Sequence, residues 1–197
     1  MALAGTEIAR ALVYGGPWRA TVDGIAPLPD ELRIGPQSVD LTLGDEMLLV
    51  SALTPSSYID IHDPDTQLIE RMELDYEGRF KLHPGDIYLA SVREAFDCTM
   101  PLRVDGLWAH FYPVVDGRST AARVGLSVHQ TAGRGDHGFK APFTLELTVM
   151  IPLIVRPGDR IAQLFFEPIQ GIPEPYSGAY TGQRGPQPAV LGAERFR

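Results

Sequence analysis

The chain has 197 residues, with 25 Asp plus Glu against 17 Lys plus Arg and a formal net charge of −8. That is the length of one domain with one core, and the acidic balance argues against duplex nucleic acid or an anionic membrane surface as the main partner. Hydrophobic residues make up 44%, but 20 Gly and 17 Pro, nearly one residue in five, interrupt the chain too often for long helices or coiled coils.

In chain order, the first ten residues lack a basic segment followed by an apolar one, and no stretch approaches the ~18 apolar residues of a membrane span. The expectation is a soluble cytoplasmic protein. Residues 6–14 predict a short helix with Thr6 as N-cap, Ile8, Leu12 and Val13 on one face, and Gly15-Gly16-Pro17 as its end. From Ser38 the pattern alternates, with Val39, Leu41 and Leu43 on one side, which predicts a half-buried strand closed by Gly44-Asp45. Further short strands are predicted at 46–50, 80–82, 87–92, 107–112, 143–149, 151–155 and 161–166. His83-Pro84-Gly85-Asp86 and Arg156-Pro157-Gly158-Asp159 are turn signals between pairs of them. Many short strands at close spacing indicate a sandwich or barrel. Residues 119–124 break the pattern as a short helix led by Ser119 and ended by Gly125. After Gly171 the aliphatic residues give way to Gly, Pro, Tyr and Gln, which reads as a tail packing on something else.

Cys98 is the only cysteine, so there is no disulfide framework within the chain and no zinc site that needs two thiolates. Four segments carry candidate chemistry. Asp116-Gly117-Arg118-Ser119-Thr120-Ala121-Ala122-Arg123 puts Ser119 and Arg123 four apart on one helical face, with Arg118 at the positive end of the helix. Residues 117–142 hold four cationic side chains, Arg118, Arg123, Arg134 and Lys140, against Asp136 alone. Phosphate binding and ordinary surface ion pairing both fit them. The Gly-rich loop from His129 through Thr131, Ala132, Arg134 and Asp136 to Phe139 exposes backbone groups able to read a nucleobase edge; an ordinary hairpin loop is the plainer reading, and His129 and His137 taken singly fit it better than a metal site. Glu146 alternates with Leu145 and Leu147, which favours the solvated face of a strand; a buried carboxylate suited to acid–base work is the other reading. Tyr176, Tyr180 and Gln183 in the tail suit a lid over a nucleotide, and equally a disordered end.

These pieces together resemble the dCTP deaminases, which share their fold with the trimeric dUTPases. The resemblance is carried by Gln37-Ser38-Val39-Asp40-Leu41-Thr42-Leu43-Gly44, Leu82-His83-Pro84-Gly85, Gly117-Arg118-Ser119 to Arg123-Val124-Gly125-Leu126, Thr131-Ala132 fifteen residues ahead of Glu146, Gly158-Asp159-Arg160-Ile161-Ala162-Gln163-Leu164, and Tyr180-Thr181-Gly182-Gln183-Arg184-Gly185. It implies a mainly β fold, a distorted jelly-roll-like barrel of the dUTPase type with a few short helices. One domain would span residues 1–170, and a tail over 171–197 would close over the nucleotide of a homotrimer whose sites lie between subunits.

The implied activity is zinc-independent hydrolysis of dCTP to dUTP and ammonia, with Mg²⁺ entering only through the triphosphate, and dCTP, dUTP and dTTP as ligands. Glu146, Ser119, Arg123 and the Ala132 carbonyl would be catalytic. Arg118, Thr131, Arg134, Asp136, Tyr176, Tyr180 and Gln183 would bind substrate, and no residue would bind metal directly. With one cysteine, the thiolate-rich zinc solution to deamination is closed, so the water must be activated by placement and hydrogen bonding. His129-Gln130-Thr131-Ala132-Gly133 also resembles the loop of bifunctional enzymes that go on to dUMP and pyrophosphate. The chain departs from the family pattern at His137, where a Pro is usual, at Gly135, where an apolar residue is usual, and at Ala179, where a Lys precedes the tail Tyr. The segment from Glu146 to Arg156 is short. A nucleotide-binding regulator without turnover is the reading these departures motivate.

Overall fold

The computed structural model describes residues 2–28, 30–54 and 57–195. Met1 and the last two residues of the expected tail therefore lie outside the described residues. Helix α1 (Gly5–Leu12) is followed by β1 (Arg19–Val22), β2 (Val39–Ala52), β3 (Gln67–Arg71), β4 (Phe80–Leu82), β5 (Ile87–Val92), β6 (Glu94–Asp97), β7 (Leu102–Val104) and β8 (Leu107–Gly117). Then come helix α2 (Ser119–Arg123), β9 (Leu126–Ser127), β10 (Thr144–Val149), β11 (Leu153–Val155) and β12 (Arg160–Ile169). The expected mainly β architecture with short helices is the one found. One sheet runs β7-β8-β12-β2-β5-β10-β9, with β3 added to β2; β1 pairs β6 and β4 pairs β11 in two small ribbons. Each of these pairings is antiparallel.

The alternation at the start of β2 does what its period requires: Val39, Leu41 and Leu43 are fully buried while Asp40 and Thr42 stay partly exposed. Trp18 closes the core from the α1 side, buried against Phe111 and Phe166, and its indole N–H donates to the Met100 carbonyl at 2.7 Å.

Three expectations are corrected. Gly44-Asp45 does not end a strand: β2 continues through it to Ala52, with the register against β5 shifting between Leu43 and Met47. A Cβ at Gly44 would lie 2.8 Å from Ser91 Oγ, so the glycine admits a close strand approach at a bulge. Thr6 is not the N-cap of α1. Ala4 holds that place without a side-chain bond, and the helix starts one residue early because Gly5 fits against Gly35, whose carbonyl oxygen a Cβ would meet at 2.0 Å. Ser119 is the first residue of α2 and Arg118 its cap.

Glu94 in β6 is a buried carboxylate, 4% exposed. Its oxygens accept from Thr42 N at 2.9 Å and Thr42 Oγ1 at 2.5 Å, tying β6 to β2. Burial pushes its carboxyl above the ordinary range, outweighing the Thr42 bonds. The folded state therefore holds this proton to higher pH than the unfolded chain, and stability falls as pH rises through that window. Glu94→Gln, whose amide can accept from Thr42 N and donate to Thr42 Oγ1, is expected to flatten this fall. Urea unfolding at pH 5 and pH 8 checks it; an unchanged pH slope counts against the assignment.

Candidate active site

Strand β10 sets Glu146 on its outer face. Leu145, Leu147 and Val149 are buried and Thr144, Glu146 and Thr148 are not, so of the two readings of Glu146 the alternation-based one holds. The segment before β10 runs back alongside it, and Glu146 N donates to Val128 O at 3.2 Å. At the end of this run the Gln130 N–H donates to Glu146 Oε2 at 3.0 Å, and the Gln130 amide reaches Thr148 Oγ1 at 3.2 Å. The carboxylate, on a rigid strand, is thus held by a backbone donor, and its other oxygen has no hydrogen-bond partner among the described residues.

Glu146 lines a cavity of about 450 Å³. Of the expected site residues, Ala132, Arg134, Asp136, Tyr176, Tyr180 and Gln183 line the same cavity, and Thr131 lies exposed on the same loop, outside the lining. Rings form one wall. Phe139 and Phe143 are 5.2 Å apart at 36°, and Tyr176 meets Phe139 at 5.7 Å and 70°. Arg134 sits 5.9 Å over the Tyr112 ring, whose phenol is pushed up chiefly by its hydrogen bond to Glu167 and further by burial.

The tail is laid across this cavity by particular bonds. Gln183 Nε2 donates to Pro142 O at 2.5 Å and Thr144 Oγ1 at 3.2 Å, and Gln187 N donates to the same hydroxyl at 3.1 Å. Farther on, Val190 N donates to Tyr180 OH at 3.3 Å, and Gln67 Nε2 on β3 donates to Ala189 O at 3.0 Å. At the near end Tyr176 N donates to His137 O at 2.7 Å. His137 itself is buried, its Nδ1 3.0 Å from Phe111 O and its ring edge-to-face with His110. The turn that lacks proline is thus pinned to β8 by an imidazole.

The remaining expected residues lie elsewhere. Arg118 caps α2, its Nε 3.5 Å from Asp40 Oδ1, and lines a separate cavity of about 780 Å³ with Asp40, Arg160 and Gln163. Ser119 and Arg123 are exposed on α2 and line neither cavity. Within one chain the Glu146 half and the Ser119–Arg123 half of the expected catalytic set are not joined. The cationic run of residues 117–142 is also partly neutralised, because Lys140 pairs with Asp97 at 2.9 Å and Arg118 with Asp40. Burial raises the Asp97 carboxyl, but bonds from Thr99 and Lys140 outweigh it and leave it lowered.

Sequence reasoning missed Gln130, Phe143, Thr144 and Gln67 as site residues. Gln130 stands in the Gly-rich loop between His129 and Phe139. Gln67 carried no local signal, since only the β2–β3 pairing brings it to the tail.

Residues 18–169 match the model of the dCTP deaminase-like family. The chain is 36% identical over 180 residues to a dCTP deaminase of Haloarcula marismortui, covering 87% of this chain and 88% of that one. It is 34% identical over 163 residues to a dUMP-forming dCTP deaminase of Leptospira biflexa, covering 82% and 84%. The solved 2′-deoxycytidine 5′-triphosphate deaminase of Agrobacterium tumefaciens shares the fold, with a TM-score of 0.56 at 19% identity over 84% of this chain. This chain spans 46% of that longer one. With the family match running from Trp18 in the core to the last residue of β12, and with two relatives above 30% identity along most of its length, this chain belongs to the dCTP deaminase-like family.

Proposed function

We propose that the protein deaminates dCTP hydrolytically to dUTP and ammonia, without zinc, at sites formed between the subunits of a homotrimer. The observation that carries this is Glu146, fixed by the Gln130 N–H in a cavity shared with Ala132 and Asp136 and crossed by the tail. Deamination needs water added at C4 of cytosine, a proton at N3 and another on the departing amine. Glu146 takes one proton from the water and passes it to N3 as the hydroxyl adds at C4, then takes the proton of that new hydroxyl and passes it to the amine, which leaves as ammonia while the C4 carbonyl forms. The Ala132 carbonyl and Ser119 of a neighbouring subunit hold the water, and Arg123 of that subunit faces the negative charge that develops.

Arg118 meets the phosphates, for which Asp40 is its present partner, and Mg²⁺ arrives as the triphosphate's counter-ion. Asp136 faces the sugar, beside Arg134 and Thr131 on one loop, with Tyr176, Tyr180 and Gln183 closing over them. The domain of residues 1–170 supplies the barrel and residues 171–197 the lid. Among the described residues no helix is long and apolar enough to cross a membrane. A reducing cytoplasm suits the buried Cys98, whose thiol burial pushes up.

Asp136 favours a second reading. It lines the cavity of Glu146, and the dUMP-forming Leptospira relative is similar along most of the chain. With Asp136 orienting a second water, dCTP would give dUMP and pyrophosphate. Product analysis separates the two: dCTP with Mg²⁺ is expected to yield ammonia with dUTP, and pyrophosphate formed in step with ammonia supports the bifunctional reading. Tight dCTP binding with no ammonia over hours overturns both in favour of a nucleotide-binding regulator. Running dCMP and CTP alongside fixes the substrate.

A further inference from the structure

The β7–β8 hairpin turns an indole and a guanidinium to solvent beside α1. Trp108 is 70% exposed there, whereas the chain's other tryptophan, Trp18, is fully buried in the core. Arg103 stands directly across from Trp108 in the β7–β8 register, so the two side chains share one face of the ribbon. With Arg10 and Arg19 they line a cavity of about 740 Å³, within the span of small-molecule sites and sharing no lining residue with the cavity of Glu146.

The lining sets the chemistry of a ligand. It contains no Asp or Glu, in a chain with 25 of them and a net charge of −8. Arg19 and Arg103 are aimed by backbone carbonyls instead of carboxylates: Arg19 Nη1 donates to Gly16 O and Trp18 O, each at 2.8 Å, and Arg103 Nε donates to Gly106 O at 3.2 Å. Their remaining N–H groups have no acceptor among the described residues, and neither have the backbone N–H groups of Gly15 and Gly16 on the same wall. Arg10 is neutralised by Glu7, yet its Nη2 also donates to Arg103 O at 2.9 Å, which keeps it beside the hairpin. Fixed guanidiniums and adjacent backbone N–H groups suit phosphate oxygens, and an exposed indole beside them suits a flat ring. No side-chain amide, hydroxyl or carboxylate lines the cavity to read a base edge, so a base there is held by stacking, without selection.

We propose that this cavity is a nucleotide site separate from that of Glu146, taking a nucleoside triphosphate of any base with its ring on Trp108 and its phosphates against Arg19 and Arg103. The site stands whether or not the Glu146 cavity deaminates dCTP. ATP is the probe, titrated into the whole protein by tryptophan fluorescence and calorimetry, because stacking on Trp108 quenches an emission that the buried Trp18 does not share. ATP is expected to quench as well in Glu146→Gln as in wild type, to bind about tenfold or more tighter than AMP, and to weaken as salt is raised. GTP and UTP are expected to match ATP within about threefold. Arg19→Gln/Arg103→Gln and Trp108→Ala are each expected to weaken ATP by about tenfold or more, while Trp108→Phe, which keeps a ring, stays within about threefold by calorimetry.

Emission unmoved by millimolar ATP overturns the proposal, and so does quenching that survives in the double arginine variant. Inorganic tripolyphosphate that displaces ATP with equal affinity also overturns it, since the ring then has no part in binding. Trp108 shielded from acrylamide in the assembled protein does the same, because another subunit then covers this face. Trp108→Ala, which removes an exposed side chain, decides by calorimetry if the double variant does not fold. A protein that binds ATP here but releases no ammonia from dCTP overturns the deaminase reading alone.

Discussion

Glu146→Gln is expected to lower ammonia release from dCTP by about 10²–10⁴-fold, the span typical of a lost general acid–base group, while dCTP still binds. The amide keeps the side chain's shape, and its carbonyl oxygen can still accept from the Gln130 N–H at the place where Glu146 Oε2 accepts now. What it lacks is a basic oxygen to receive the water proton. A continuous ammonia assay and calorimetry on the same preparation check the two halves of this statement. A variant that remains active removes Glu146 from the mechanism; one that loses binding with activity makes it a binding residue.

Mixing two inactive variants is expected to restore activity. In a single chain, Ser119 and Arg123 stand exposed on α2 and line no cavity with Glu146. If a neighbouring subunit supplies them, Glu146→Gln subunits still carry an intact α2, and Arg123→Ala subunits still carry an intact Glu146. Unfolded together and refolded as random mixed trimers at equal amounts, they place one intact half from each variant at about a quarter of the interfaces. About a quarter of wild-type ammonia release is therefore expected, against the near-zero rate of either variant alone. Mixed trimers with no activity above the separate variants contradict a site shared between subunits.

Much of the fold was legible because its signals are local. The period-two pattern of Val39, Leu41 and Leu43, and of Leu145 and Leu147 around Glu146, needs no knowledge of partners, and it placed the carboxylate on the correct face. The two Pro-Gly-Asp turns behave likewise, with Gly85 and Gly158 at positive φ. What escaped depends on approach between distant segments. Gly44 and Gly135 read as punctuation or departure, yet each marks a place where another strand or ring comes too close for a Cβ. Strand β6 was hidden because Glu94, the charged residue that opens it, is buried through bonds to Thr42 on β2, a partner 52 positions away.

For the candidate site, the residues on the 129–146 stretch and the tail were legible as a set because the same loop and strand carry most of them. Their contacts were not. The Gln130–Glu146 bond spans 16 positions and the Gln183–Thr144 bond 39, and neither leaves a mark in local composition. The separation of Arg118, Ser119 and Arg123 from Glu146 within one chain left no local mark either; sites between subunits were an expectation of the family resemblance alone.

This chain is expected to deaminate dCTP with a carboxylate and placed hydrogen bonds in place of a zinc-bound water. The most direct test is the rate of ammonia release from dCTP in excess Mg²⁺, before and after a zinc-selective chelator has stripped the protein. The expected result is ammonia at the same rate in both; ammonia that disappears on chelation and returns with added zinc, or none at any point, contradicts it.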